Sequence, residues 1–519
     1  MTRRVVVVGN GMAGARLVDE LHRRDPGGTQ VSSVVIGAEP HAAYNRVLLS
    51  TVLAGGLTAE AVRLQPEGWA ERQGIDARTG ITVLDIDRVH RQVRCRDAQD
   101  AESVVDYDVL VLATGSRPFV PPVPGLRTAE GVPAEGVVAE GVVAEGVVAF
   151  RTVTDCEQIL DAVRPGSRVV VLGGGLLGLE AARGLSGRGA EVTVVHPAAH
   201  PMDRQLDAGG GAVLARVLTE LGVALRLSST AVQYRPGLVG QGVTDGRGVV
   251  LDDGSFLAAD LVVVATGVRP QVELAQRAGL VVNNAIVVDD QLRTSDRRIR
   301  AIGECAEHRG SVYGLVQPAW DQAAVVADLL TGADPTARYT GSREVTKLKA
   351  RDVDLAAMGD VSAEGGDPDI EVLSLIDASR GRYAKLVLRE DCIIGAVLLG
   401  SPEAAAAVTQ LYDHSAQAPS DRLGLLLGRL ESGAQEVASP AHLPGRAVVC
   451  RCNSVTKNQL TSAWRSGADS VPALAAATRA TTGCGGCGDL VEGICTWLRS
   501  TEPAPNHEAP EVTQEEGAA

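Results

Sequence analysis

The chain has 519 residues, 45% of them hydrophobic and 22% charged, with a formal net charge of −15 and an isoelectric point near 5.2. That length fits an ordinary globular protein of roughly three to four domains. The acid excess argues against a nucleic-acid partner, because phosphate is bound by surplus Lys and Arg.

No apolar run approaches the roughly 18 to 20 residues of a bilayer-spanning helix, so no integral membrane protein is expected. Five of the nine cysteines, Cys95, Cys156, Cys305, Cys392 and Cys495, stand alone. That pattern argues against a disulfide framework and for a reducing cytoplasm.

The opening MTRRVVVVGNG mimics an export signal, but four valines are too short a core, and it reads as a buried strand. In VVVVGNGMAGARL, residues 5–17, Gly9, Gly11 and Gly14 turn the chain tightly, bring backbone close to a pyrophosphate and pack helix on strand. Glu39, near the end of VSSVVIGAEP, can accept hydrogen bonds from ribose hydroxyls. Arg46, in HAAYNRVLLS, suits bidentate phosphate contact or is a solvated arginine. No cysteine pair lies near residues 40–60, so no thiol relay is expected beside the first dinucleotide.

The pattern returns as VVVLGGGLLGLEA, residues 169–181, with Gly173, Gly175 and Gly178. Each copy is followed by an ATG segment, LATGSRP with Gly115 and VATGVRP with Gly267. One such glycine motif is a weak signal; two copies, each between a strand and a helix, imply two dinucleotides.

Residues 129–150 hold an AEGVV repeat, read as a duplicated surface loop, with a partner-binding arm as the alternative. Glu180 is placed in the first helical turn, where it suits the helix dipole or serves the site. His196 ends EVTVVHP where an acidic residue would select NAD over NADP, so the choice stays open, with a lean to NADH. Arg204 is the nearest arginine for a 2′-phosphate.

After a helical stretch near AWDQAAVVADLL come strands at EVLSLID, YAKLVLR and IIGAVLLG, a connection, and the clustered cysteines. Cys450 and Cys452 form C-x-C; after 31 intervening residues Cys484 and Cys487 form C-x-x-C. Four thiolates with a glycine-rich second pair suit a [2Fe-2S] cluster; structural zinc is the alternative. Thr456 and Gln459 form a capping box for a helix ending before Gly467, a second helix is expected near 471–479, and DLVEGICTWL brings a helix N-terminus to the second pair.

Residues 1 to about 412 resemble the FAD- and NAD-binding reductases that include ferredoxin reductases and the N-terminal half of NADH-dependent nitrite reductase large subunits. The likeness lies in the two glycine motifs, YNRVLLS, RQLD, ATGVRP, AIGECAEH and TKLKARDVDLAAMGD. Residues 446–498 resemble the bacterioferritin-associated-ferredoxin-like [2Fe-2S] domain.

The resemblance implies FAD contacts at Gly9, Gly11, Gly14, Glu39, Arg46, Thr114, Gly303 and Glu304, and cluster ligation by the four cysteines. The expected class is α/β: two Rossmann-like domains for FAD and NAD, a small α+β domain and a small helical [2Fe-2S] domain. The expected boundaries are 1–128 with 262–335 for FAD, 129–150 for the repeat loop, 151–261 for NAD(P), 336–412 for the α+β domain, 413–445 for a linker, 446–500 for the cluster domain and 501–519 for a disordered tail.

Two departures from the family pattern are His196 and a chain that stops before any sirohaem domain, so nitrite reduction by this polypeptide alone is not expected. Hydride would pass from NAD(P)H to FAD and on through the cluster to a redox partner, the catalytic polypeptide of nitrate or nitrite reduction, by positioning rather than acid–base catalysis. The chain would be cytoplasmic and could pair as a homodimer, with no membrane partner. Alternatives are a ferredoxin or oxygenase reductase, a subunit of an amino-acid or opine dehydrogenase, and a redox sensor or zinc-stapled binding protein.

Overall fold

The computed structural model describes residues 2–128, 143–237, 246–364, 367–429, 443–450, 453, 455–482 and 486–502. Most of the AEGVV repeat, Cys452, Cys484 and nearly all of the acidic tail lie outside the described residues. The chain divides into two units, Met1–Arg429 and Leu430–Ala519.

In the first unit, Arg3–Val8 is the third strand of a five-stranded parallel sheet. The order is Ile299–Ala301, Val109–Leu112, Arg3–Val8, Val31–Ile36, Asp76–Arg78. Val5, Val6 and Val7 are all fully buried, as a parallel strand covered on both faces requires. The continuous valine run that imitated an export signal is this strand.

A second parallel sheet repeats the plan around Arg168–Leu172, in the order Val223–Arg226, Glu191–Val195, Arg168–Leu172, Leu261–Val264, Val147–Ala149. Two expected boundaries shift here. Val147–Ala149, assigned to the repeat loop, is an edge strand, because VVAF is apolar enough to be buried against Leu261–Val264. Residues 262–264, assigned to the first domain, complete this second sheet, because Val262, Val263 and Val264 pair with Val170, Val171 and Leu172.

A third sheet is antiparallel, in the order Val345–Leu348, Leu355–Gly359, Cys392–Leu399, Arg382–Arg389, Glu371–Asp377, followed by the helix Pro402–His414. The described first part of the segment expected to be a linker, residues 413–429, instead continues this layer. Arg422–Leu426 is a helix that buries Leu425 and Leu426, and Arg422 pairs with Asp391 at 2.5 Å.

One apolar core joins the three layers. It holds Leu49 and Leu53 from the first, Val169 and Leu185 from the second, and Leu348 and Leu355 from the third.

The second unit has a short antiparallel pair, Val448–Cys450 with Val455–Thr456, and helices Lys457–Arg465, Val471–Thr478 and Gly488–Thr501. Leu460, Leu474, Val491, Ile494 and Leu498 fill its centre without exposure. No helix among the described residues is long and apolar enough to cross a membrane.

Candidate functional site: two glycine turns and a cysteine module

The two glycine turns have nearly the same geometry. Gly9 and Gly173 both take φ +112°, and a Cβ there would lie 2.1 Å from Ala113 O and 2.4 Å from Ala265 O, respectively. Each first glycine therefore lets the turn pass beneath the strand end that leads into ATG. Gly14 and Gly178 sit in the helix where a Cβ would lie 1.9 Å from the carbonyl oxygen of Gly9 and of Gly173. No side chain fits between helix and turn.

Gly11 and Gly175, the N-caps of helices Met12–Arg24 and Leu176–Ser186, are different: a Cβ on either meets nothing within 4 Å. Open space in front of free helix-terminal amides fits an incoming pyrophosphate, so each turn suits a dinucleotide.

Around the first turn, Glu39 pairs with Arg46 and accepts from Tyr44 Oη at 2.7 Å, while the Arg46 guanidinium lies over the Tyr44 ring. Glu39 and Arg46 are thus brought together, with Arg46 held on a carboxylate. Thr114 Oγ1 donates to Gln271 O at 2.8 Å, and Gly115 takes φ +67°. Gly303, at φ +78°, donates its N–H to buried Gln322 Oε1 at 2.7 Å. Glu304 pairs with Arg151 and accepts from Ser116 Oγ at 2.5 Å. Gly267, at φ +99°, accepts from Phe119 N at 2.8 Å, which joins the two ATG segments through the pairing of Ser116–Pro118 with Val268–Pro270.

Around the second turn, Glu180 lies beyond the first helical turn rather than within it, so the dipole does not explain it. Its side chain is buried, accepts from Lys349 N at 2.9 Å and has Ser50 as a neighbour. Burial pushes its carboxyl above the usual range, with the Lys349 charge and backbone hydrogen bond opposing. His196 is buried, its Nδ1 accepting from Gly174 N at 3.1 Å and its Nε2 lying 3.1 Å from Asp203 Oδ1.

Ser50, Arg151, Asp203, Gln322 and Lys349 were not anticipated as neighbours of these turns. Lys349 and Asp203 stand in or beside the KLK and RQLD segments, but nothing local shows that they fold back.

Among the described residues Cys95, Cys156, Cys305, Cys392 and Cys495 are free thiols. Cys305 is fully buried, its thiol raised by burial and hydrogen-bonded to Ile302 O at 3.3 Å. It has the surroundings of a structural thiol.

In the second unit Cys450 ends its strand fully buried, and Cys487 caps the helix Gly488–Thr501 at 6% exposure. The capping box of Thr456 and Gln459 is present. Asn453 Nδ2 lies 3.7 Å from Cys450 Sγ and donates to Arg479 O at 2.5 Å. A buried sulfur facing an amide donor fits a cluster-ligating thiolate, whose charge such donors stabilise.

Two parallel sheets, each with the same open glycine turn, define a reductase that binds two dinucleotides. The chain belongs to the pyridine nucleotide-disulphide oxidoreductase family, whose profile matches residues 3–323. Residues 345–414 match the rubredoxin NAD+ reductase C-terminal domain and 448–496 the BFD-like [2Fe-2S] binding domain. It is an NAD(P)H-dependent flavoprotein oxidoreductase with FAD and a [2Fe-2S] domain, and the last match decides between cluster and zinc.

A nitrite reductase [NAD(P)H] of Bacillus subtilis (strain 168) is 35% identical over 494 residues, covering 95% of this chain and 57% of that protein. An assimilatory nitrate reductase electron transfer subunit of the same organism is 33% identical, covering 96% of this chain and 60% of that protein. This chain therefore spans less than two thirds of these curated relatives. A covalent putidaredoxin reductase–putidaredoxin complex superposes with TM-score 0.69 at 26% identity, covering 85% of this chain and 99% of that one.

Proposed function

We propose that this chain takes hydride from NAD(P)H, NADH in preference, and delivers electrons to the catalytic polypeptide of assimilatory nitrate or nitrite reduction. The observation that carries this reading is the joining, in one polypeptide, of two open glycine turns to a cysteine module, with 95% and 96% of this chain aligning to part of relatives bearing those names. Bound FAD supplies two-electron acceptance and one-electron release, and a [2Fe-2S] centre supplies a one-electron carrier.

The protein's own part is to bind and orient. Gly9, Gly11, Gly14, Glu39, Arg46, Thr114, Gly115, Gly303 and Glu304 hold FAD. Gly173, Gly175, Gly178, Glu180, His196 and Gly267 serve the nicotinamide side. Cys450, Cys452, Cys484 and Cys487 hold the cluster. The reading places the chain in the cytoplasm, and a homodimer is compatible with it.

The test is made on anaerobically purified protein, measuring flavin, iron and sulfide, the EPR spectrum after NADH, and then reduction of a nitrate or nitrite reductase catalytic polypeptide. Flavin, two irons per chain and a reduced-cluster signal that disappears on adding the acceptor polypeptide are expected. A cluster that never receives electrons from NADH would sink the route. Electrons accepted only by a small iron–sulfur protein would favour the second reading, a ferredoxin-type reductase, which the likeness to putidaredoxin reductase supports.

A further inference from the structure

The strand Glu191–Val195 ends where a dinucleotide fold usually offers a carboxylate to the adenosine ribose. His196 follows it instead. The chain beyond His196 is tied to the middle residue of the glycine turn on both of that residue's backbone groups: Gly174 N donates to His196 Nδ1 at 3.1 Å, and Met202 N donates to Gly174 O at 2.9 Å. Met202 is fully buried and held at φ +52°. The imidazole packs so closely on Gly174 that a Cβ there would meet His196 Cγ at 2.8 Å.

These ties return the chain to the end of the strand and deliver Asp203, the residue after Met202. Because Nδ1 accepts from a backbone N–H, a neutral His196 carries its proton on Nε2, which donates to Asp203 Oδ1 at 3.1 Å. The Asp203 side chain is 42% exposed, and no further partner for its carboxylate is present among the described residues. One oxygen is anchored, leaving the other for a ligand.

Resting on the assignment of the second glycine turn to the nicotinamide dinucleotide, we infer that Asp203, positioned by His196, receives the ribose 2′-hydroxyl of NADH and rejects the 2′-phosphate of NADPH. The carboxylate missing at the strand end is restored from seven residues downstream. Arg204, exposed beside it, is the competing residue and would reverse the preference if it reached the same ribose.

The experiment compares equilibrium binding of ADP-ribose and of 2′-phospho-ADP-ribose to the flavin-loaded full chain by titration calorimetry, for the natural protein, Asp203→Asn, Asp203→Arg and His196→Ala. The natural protein is expected to favour ADP-ribose by roughly tenfold or more, since like charges placed together in a site are costly. Asp203→Asn should bring the ratio toward one, Asp203→Arg should invert it, and His196→Ala should lower it. A natural preference for the 2′-phosphate, or a ratio unchanged in Asp203→Asn, overturns the role of Asp203; a ratio unchanged only in His196→Ala overturns the positioning role of His196. If neither probe binds a protein that holds flavin, the assignment of the second turn fails, and this inference with it.

Discussion

The backbone N–H of Lys349 donates to Glu180 Oε1 at 2.9 Å, fastening the third layer to the helix that begins at the second glycine turn. The same carboxylate lies beside Ser50 of the first layer. One buried group thus sits where three parts of the unit meet, 130 and 169 residues from these two neighbours in sequence (180 − 50 and 349 − 180).

Burial raises the Glu180 carboxyl above its ordinary value against the pull of Lys349. The native state therefore holds this proton more tightly than the unfolded chain does. Its contribution to stability is full below the unfolded value of about 4.3 and declines as pH rises through the folded one, by about 1.4 kcal/mol per unit of displacement. Glu180→Gln keeps an acceptor for Lys349 N and removes the titration. Urea unfolding at a series of pH values should show the variant gaining on the natural protein as pH rises; a constant difference would refute the buried proton.

The three glycines of each turn should respond differently to alanine. Gly14→Ala places a methyl 1.9 Å from Gly9 O and must displace the helix, so both stability and flavin content fall. Gly11→Ala meets nothing in the protein, so its flavin-free unfolding midpoint stays near that of the natural chain while flavin content falls. Gly175→Ala keeps flavin and weakens NAD(P)H binding. Absorbance of the purified variants and thermal melts of their flavin-free forms distinguish these outcomes.

Lys385 is buried and donates to Asp207 Oδ2 at 3.1 Å and to Val361 O at 2.8 Å. Burial would raise the Asp207 carboxyl, but Tyr383, Gly210 N and Lys385 together hold it below its usual value. Asp207 therefore stabilises the fold above about pH 4, and that contribution is lost as pH falls through the lowered value. Lys385→Met leaves the carboxylate with one charge partner fewer and should cost about 3 kcal/mol near neutrality. The loss should shrink in acid, and urea titrations at two pH values will show whether it does.

Cys450→Ser or Cys487→Ser should abolish iron binding while flavin content and NADH-driven flavin bleaching persist, because the glycine turns and the cysteines lie in separate units. Asn453→Ala removes the amide facing Cys450 Sγ, which favours the more negative, reduced cluster. Its midpoint potential in an EPR-monitored titration should move to more negative values. An unmoved potential would show that this contact does not reach the bound cluster.

Much of the fold was legible because its signals are local. A buried parallel strand must be apolar on both faces, as Val5–Val8 and Val169–Leu172 are, and the glycines that follow leave no alternative side chain at Gly9 and Gly14. The capping box at Thr456 and Gln459 is likewise a matter of three residues. Domain edges were less legible: Val147–Ala149 and residues 262–264 are apolar runs like any other, and only their register against neighbouring strands assigns them to the second sheet.

By itself, the sequence determined the repeated strand, glycine turn and helix, the absence of a cysteine pair beside the first turn, and the paired cysteines near the C-terminal end, since each is set by residue type at short spacing. Only the tertiary structure decided that Glu180 is a buried junction rather than a dipole partner, that Arg46 rests on Glu39, and that Asp203 returns to the strand end beneath which Gly174 turns. Those relationships depend on chain segments folding back on one another, and the free energy that selects them comes from burial and hydrogen bonds between residues that no local spacing connects.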